Sequence, residues 1–270
     1  MNDDALNRIA DALDRIAPRA PAPVDPAAPA YAWQGGALTA VANFNPLALD
    51  LLTGIDAHRD AVLTNTERLA AGHAAHDVLL WGARGSGKSA LLKAVVGTLQ
   101  AAGSSIALIE VAGDALATLP ALFDVIRDWP RACIVFLDDI GFDEGGAQPR
   151  ALRSVLEGGA SARPAHTRIY ATSNRRHIVA RDMAAQDSAI NPRDVADDQL
   201  ALADRFGLSL GFHVCDQETY LTMVAGYARF LGVSFAREDA LLWAAQRGSR
   251  SGRVAWHYAV ELAGRAGKTL

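Results

Sequence analysis

Residues 82–89 read GARGSGKS, with Gly82, Gly87, Lys88 and Ser89 at the spacing of a phosphate-binding loop and the apolar run Val78-Leu79-Leu80-Trp81 directly before them. A polyphosphate has to be wrapped by backbone N–H groups at van der Waals contact, which glycine permits and a bulky side chain blocks. Gly82, Ala83, Arg84, Gly85, Ser86 and Gly87 would form that cradle, Lys88 would supply a point charge to the β and γ phosphates, and Ser89 would offer a hydroxyl to Mg2+. Leu91, Leu92, Val95, Val96 and Leu99 give the apolar face of a helix beginning near Gly87, whose positive end is aimed at the anion. A Gly/Ser-rich turn with an incidental lysine requires neither the strand before it nor the helix after it.

A second chemical signal is CIVFLDD, residues 133–139, an apolar run closed by two acids. A buried parallel strand ending in this way brings Asp138 to a Mg2+ ion through its water shell and Asp139 to the water that attacks the γ phosphate. Alone, such a run is weak, because acids also cap turns after strands. Roughly fifty residues behind a phosphate loop it becomes the other half of a nucleotide site. The run IYATSNRRH then sets Thr172, Ser173 and Asn174 at the end of another predicted strand. Polar strand ends ordinarily begin a turn. Ligands, however, bind outside the carboxyl ends of parallel strands, so Asn174 is expected at the γ phosphate or its water.

Strands alternating with helices must position these groups. Besides the strand at 78–81, β signals fall at 106–111, 132–137, 167–172 and 208–214, with helical stretches leading to Gly72 and at about 116–128, 149–157 and 194–203. That alternation predicts an α/β fold with a parallel sheet covered on both faces. From Asp216 onward only helical patterns remain, in a small C-terminal unit expected over 215–270. Residues 1–17 space Leu6, Ile9, Leu13 and Ile16 as an amphipathic helix too short to be stable alone. Residues 18–32 form a Pro/Ala-rich linker, five of the chain's eleven prolines lying between 18 and 30.

The 270 residues, half of them hydrophobic, suffice for a large core plus a small appendage, and a net charge of −4 gives no global pull toward nucleic acid or an anionic membrane. Two cysteines without paired spacing, and no apolar stretch long enough to span a bilayer, predict a soluble cytoplasmic protein with reduced thiols. His73 and His76 lack a third ligand and read as surface histidines. The clusters Arg175, Arg176, His177, Arg181 and Arg247, Arg250, Arg253, Arg265, Lys268 read as solvated faces, and Trp243, Trp256 and Tyr258 as helical core. The acidic stretch 181–203 reads as an exposed excursion.

Taken in order, GARGSGKS, IVFLDD, IYATSN, ADRFGLSLGF and GSRSGRVAW, followed by a helical end, resemble an AAA+ ATPase. LLTGIDAHRDAVLTNTERLAAG, LLWGARGSGKS, LEGGASARP, IYATSNRRH and LADRFGLSLGF resemble, more narrowly, a bacterial AAA+ family catalogued only as a domain of unknown function. The resemblance implies a P-loop NTPase sheet of order 5-1-4-3-2 over 33–214 and a helical lid over 215–270. It makes Lys88 and Ser89 the Walker A contacts, Asp138 and Asp139 the Walker B pair and Asn174 the sensor-1 residue. Arg205 becomes the arginine finger that reaches a neighbouring subunit's nucleotide, and Arg253, with Arg250 as its rival, the sensor-2 arginine of the lid. Leu52, Gly54 and Ile55 would flank the adenine. The implied protein binds ATP and Mg2+, assembles with itself, and acts on a protein or nucleic-acid client.

One departure bears on mechanism. Many AAA+ enzymes close the Walker B run with Asp-Glu, whereas Asp139 is one methylene shorter and would sit about 1.5 Å further from the water. Slow turnover, as in a nucleotide-timed switch, is the expectation. Residues 112–120, AGDALATLP, contain no aromatic of the kind that threading unfoldases place there. Two other classes share the motifs: a P-loop kinase acting on a small molecule, and a regulatory module that binds ATP without hydrolysing it.

Overall fold

Seven short strands carry the molecule: β1 (Ala30–Gln34), β2 (Ala37–Ala40), β3 (Val78–Gly82), β4 (Ala107–Val111), β5 (Cys133–Leu137), β6 (Thr167–Ser173) and β7 (Leu208–Phe212). They form one sheet in the order β2-β1-β4-β5-β6-β3-β7, parallel throughout except for the antiparallel β1–β2 pair. The computed structural model describes residues 24–141, 152–153, 155–156, 163–174 and 203–269. The expected helix at 1–17, most of the 18–32 linker, the cluster Arg175 to Arg181 and nearly all of the 181–203 stretch lie outside the described residues, as do most of the helical stretches at 149–157 and 194–203.

Side chains alternate across the sheet with the two-residue period of a strand, and both faces are covered. Leu79, Val135 and Leu137 enter one cluster with Leu119, Leu122, Phe123 and Ile126. Val78, Leu80, Ile134 and Phe136 enter the other with Val62, Leu69, Leu91, Leu92 and Val95. Two-sided burial is why these strands read as unbroken apolar runs. The helices concerned are α1 (Asp56–Ala70) and α2 (Lys88–Ala101) on one face and α3 (Leu119–Ile126) on the other. Within the α1 face, Asn65 Nδ2 donates to the Tyr170 hydroxyl at 3.0 Å, and the Thr66 and Tyr170 hydroxyls pair at 2.9 Å, so the polar groups buried there are satisfied.

The five strands β4-β5-β6-β3-β7 follow the expected order; the β1–β2 hairpin is an addition on the β4 edge. It corrects the expected linker, because β1 begins at Ala30, inside 18–32. Tyr31 and Trp33 are buried there, with the Tyr31 hydroxyl donating to Asp25 O at 2.6 Å and Trp33 Nε1 to Thr118 Oγ1 at 2.8 Å. Gly35 and Gly36, at φ 58° and 76°, supply the two positive-φ positions that a tight hairpin turn demands.

The C-terminal helices α4 (Gln217–Phe230), α5 (Arg237–Gln246) and α6 (Gly252–Arg265) bury their own cluster of Tyr220, Val224, Tyr227, Ala240, Ala255 and Tyr258. Trp243 and Trp256 pack against it partly exposed. Side-chain caps fix two of the starts: Asp216 accepts from Thr219 N at 2.7 Å and Ser251 from Val254 N at 3.3 Å. The N-terminus of α6 reaches the loop after β3, where Arg253 N donates to Gly85 O at 3.2 Å.

Candidate functional site

The loop between β3 and α2 takes its shape from glycine conformations. Gly82, Gly85 and Gly87 have φ of 120°, 76° and 96°, and Leu91 N donates to Gly87 O at 2.8 Å as the helix starts. Gly82 has a further constraint, since a Cβ there would lie 2.1 Å from Phe212 O, and Ala83 N donates to that same oxygen at 2.8 Å. It lets two backbones approach and is not among the residues lining the two cavities beside the loop. Its carbonyl accepts from Lys88.

Lys88 is buried at the first position of α2. Its Nζ donates to Gly82 O at 3.0 Å, Ala83 O at 2.8 Å and Asn174 Oδ1 at 3.1 Å. Burial pulls the ammonium down to a pKa of about 8; the carboxylates of Asp139 and Asp138 oppose that shift and the Arg253 guanidinium adds to it. An anion at the loop would favour the charged form that burial disfavours.

The strand ends complete a connected network. Asn174 also donates from Nδ2 to Asp139 Oδ1 at 2.6 Å, so one amide bridges the lysine and the second acid. Ser89 Oγ and Thr172 Oγ1 each donate to Asp138 Oδ1 at 2.6 Å. Asp139 has φ 53°, the only non-glycine residue in the left-handed region among the described residues. That conformation costs about 1–2 kcal/mol and is held from below: Asp139 N donates to Thr172 Oγ1 and Ile140 N to Thr172 O, both at 2.8 Å.

Two cavities flank the loop. One, of about 540 Å3, is lined by Lys88, Ser89, Asp138, Asp139, Thr172 and Asn174, and also by Leu52, Tyr227, Trp256 and His257. The other, of about 490 Å3, runs between Gly54, Ile55 and His58, the segment Gly211 to Asp216, and Thr219 and Met223 of α4. Arg84, Gly85 and Arg253 line both, Ala83 and Ser86 only the second, and Gly87 only the first. Leu52, Gly54 and Ile55, expected together, are divided: Gly54 at φ 79° turns the chain, leaving Leu52 in the first cavity and its neighbours in the second. Gly54 also meets α4 closely, since a Cβ would lie 2.5 Å from the Thr219 methyl.

Arg253 faces both cavities and its charge is felt at Lys88, whereas Arg250 lines only the second, where its carbonyl accepts from the Cys215 thiol at 3.2 Å. Arg205 lines neither. It precedes β7, at the amino ends of the parallel strands, so the length of a five-residue strand, about 16 Å, separates it from the loop.

Several lining residues were not anticipated. Trp256 and His257 lie three and four positions after Arg253 on α6, so the helical period would have placed them on its face. Thr172 was readable as the strand residue two before Asn174. His58, whose ring pairs with Gly211 O at 3.0 Å and packs 4.6 Å from Phe212, carries no sequence signal. Among the described residues no group of three or more His, Cys, Asp or Glu could hold a metal, and no helix is long and apolar enough to cross a membrane.

A family model described as "Protein of unknown function (DUF815)" matches residues 26–266. No curated protein matches the chain. Among solved structures, RuvB of Thermotoga maritima, described as a Holliday junction branch migration motor, is 16% identical over 83% of this chain and 68% of its own, with a TM-score of 0.53. Domain III of the Thermotoga maritima replication initiation protein DnaA is 14% identical over 83% of this chain and 91% of its own, with a TM-score of 0.51. Likeness at these identities carries the fold, which is that of the AAA+ ATPases.

Proposed function

The chain belongs to the DUF815 family, and from its fold and site we propose that it is a Mg-ATP-binding AAA+ switch that hydrolyses ATP slowly and assembles with itself. The observation that carries the reading is the convergence, in one cavity at the carboxyl ends of β3, β5 and β6, of Lys88, Ser89, Asp138, Asp139 and Asn174 with Arg253 of the C-terminal helices.

The donor set suits Mg2+. Ser89 and Asp138 are hard oxygen donors already joined at 2.6 Å, and a magnesium site commonly takes one or two carboxylates and completes itself with substrate phosphates. Ser89 and Asp138 would hold that cation, which would supply charge neutralisation at the phosphates. The chain does the rest. The amides of the loop from Ala83 to Gly87 and the N-terminus of α2 receive the phosphates, and Lys88 exchanges carbonyl partners for phosphate oxygens. Asp139, steered by Asn174, orients the attacking water and accepts its proton. Arg253 closes over the phosphate from the lid, and Gly54, Ile55 and Met223 of the second cavity hold the base.

Arg205 acts on the neighbouring subunit's nucleotide, a role supported by its placement at the far ends of the strands from its own loop. Catalysis of this kind is positioning and charge, and a trans arginine can supply several orders of magnitude. The client is a protein or nucleic acid, by analogy with the motor and the initiation protein that share the fold.

Hydrolysis measured against protein concentration tests the proposal. Specific activity should rise with concentration in the parental protein. Arg205→Ala should bind ATP normally and fall by about 10³-fold in turnover. An Asp139→Asn chain, which keeps Arg205, should restore hydrolysis when mixed with Arg205→Ala, whose own acid is intact. Parental turnover by pure Arg205→Ala would remove the trans finger, and lack of any Mg-ATP binding would remove the whole reading.

A further inference from the structure

The buried hydroxyl of Thr172 is the point on which both acids of the site are set. We propose that Thr172 is a positioning residue for the Mg2+ site, fixing the Asp138 carboxylate and the Asp139 backbone at once; the inference rests on the nucleotide reading above and deepens it.

A threonine hydroxyl has one hydrogen to give and lone pairs to accept with. Here the hydrogen goes to Asp138 Oδ1 at 2.6 Å and a lone pair takes Asp139 N–H at 2.8 Å. The residue is 2% exposed, so neither bond is replaceable by bulk water. Its neighbours fix where the hydroxyl points. Thr172 pairs with Leu80 of β3, and Tyr170 two residues earlier is locked by Asn65 and Thr66, so the carboxyl end of β6 is anchored on the α1 face.

Two consequences follow for the acids. Because Ser89 and Thr172 both donate to Oδ1, the Asp138 carboxylate is held against rotation, and Oδ2 accepts no hydrogen bond among the described residues. A carboxylate oriented in advance in this way gives a hydrated cation one defined acceptor. Asp139, in turn, is held at φ 53° with its N–H bonded to Thr172, and from that backbone its Oδ1 meets Asn174 Nδ2 at 2.6 Å. The hydroxyl therefore links the cation side of the cavity to its water side. Removing an outer partner of a ligating carboxylate typically weakens metal binding or activity by about 10-fold to 100-fold.

The test compares Thr172→Val and Thr172→Ser by titrating full-length protein with ADP and with ATP, in Mg2+ and in excess chelator, beside thermal melts. Thr172→Val should keep the parental affinity in chelator and lose about 10-fold or more of the gain that Mg2+ confers. Thr172→Ser, which retains the hydroxyl, should restore that gain. An undiminished Mg2+ gain in Thr172→Val overturns the inference alone, while a parental protein that binds neither nucleotide overturns the nucleotide reading and this inference with it. Equal losses in chelator and in Mg2+ would mark a general packing role and also overturn it. Should Thr172→Val fail to fold, Thr172→Ala repeats the comparison; failure of both while Thr172→Ser folds assigns the hydroxyl to folding rather than to the cation, and overturns the inference.

Discussion

The two cavities that flank the β3–α2 loop are built on different principles. The one beneath Asp138 is lined by ionisable and hydroxyl groups whose hydrogen bonds already engage one another, from Ser89 through Asp138 and Thr172 to Asp139, Asn174 and Lys88. The one beside His58 is lined by Ile55 and Met223 and by the segment after β7, with Arg84, Asp216, Arg250 and Arg253 also on its wall. A site that must hold several negative charges needs particular residue types at particular strand ends. A site that grips a flat, largely apolar ring needs only shape and an apolar wall.

The sharpest way to break that contrast is at Lys88. Lys88→Met should weaken ATP and ADP by about 100-fold or more, since the charge-assisted bonds to phosphate that we propose would be lost, while adenosine, which the proposal places in the other cavity, should bind nearly as before. Calorimetric titration with the three ligands reads both halves, and comparable losses for all three would mean the cavities are not separable.

A smaller effect distinguishes the two arginines of the segment before and within α6. Arg253→Ala should cost roughly 10-fold in affinity for ATP relative to ADP, because Arg253 lines the cavity that holds Lys88, whereas Arg250→Ala should leave that ratio within about twofold. Competition binding of both nucleotides to each variant decides the matter. The reverse pattern would move the lid arginine to Arg250.

The smallest effect is one of pH. Lys88 has a folded-state pKa of about 8, below its unfolded value of 10.5, so burial opposes its charge fully below pH 8 and is relieved as pH rises through that window. A polyphosphate reverses the preference by favouring the ammonium, and binding is then accompanied by proton uptake. ADP affinity should therefore fall about fourfold between pH of about 7 and about 8.5, measured in chelator so that the cation does not contribute. Lys88→Met should lose that slope.

The same contrast explains what the sequence made legible. Motif spacing carried the charged cavity almost whole, because Lys88, Ser89, Asp138 and Asn174 sit where strands end, and two-sided burial makes those strands long apolar runs. Thr172, placed at the same strand end, was given no role, because its bonds to Asp138 and Asp139 cross between strands and leave no local pattern. Of the second cavity, the loop residues Ala83 to Ser86 were legible from their motif, and Gly54, Ile55 and Arg253 only through resemblance. His58, Thr219 and Met223 are brought together by the packing of α1, β7 and α4, and no local pattern records that meeting. The β1–β2 hairpin was hidden by prolines at 26 and 29, which outweighed the Tyr31 and Trp33 alternation and the Gly35-Gly36 turn.

The bond from Arg253 N to Gly85 O makes the loop a fulcrum. Helix α6 extends fourteen residues from that point, a rod of about 21 Å, so a tilt of about 5° at Gly85 swings Arg265 by about 2 Å. A change in phosphate occupancy, itself too slight to be felt at a distance, would thereby be amplified at the outer surface of the molecule.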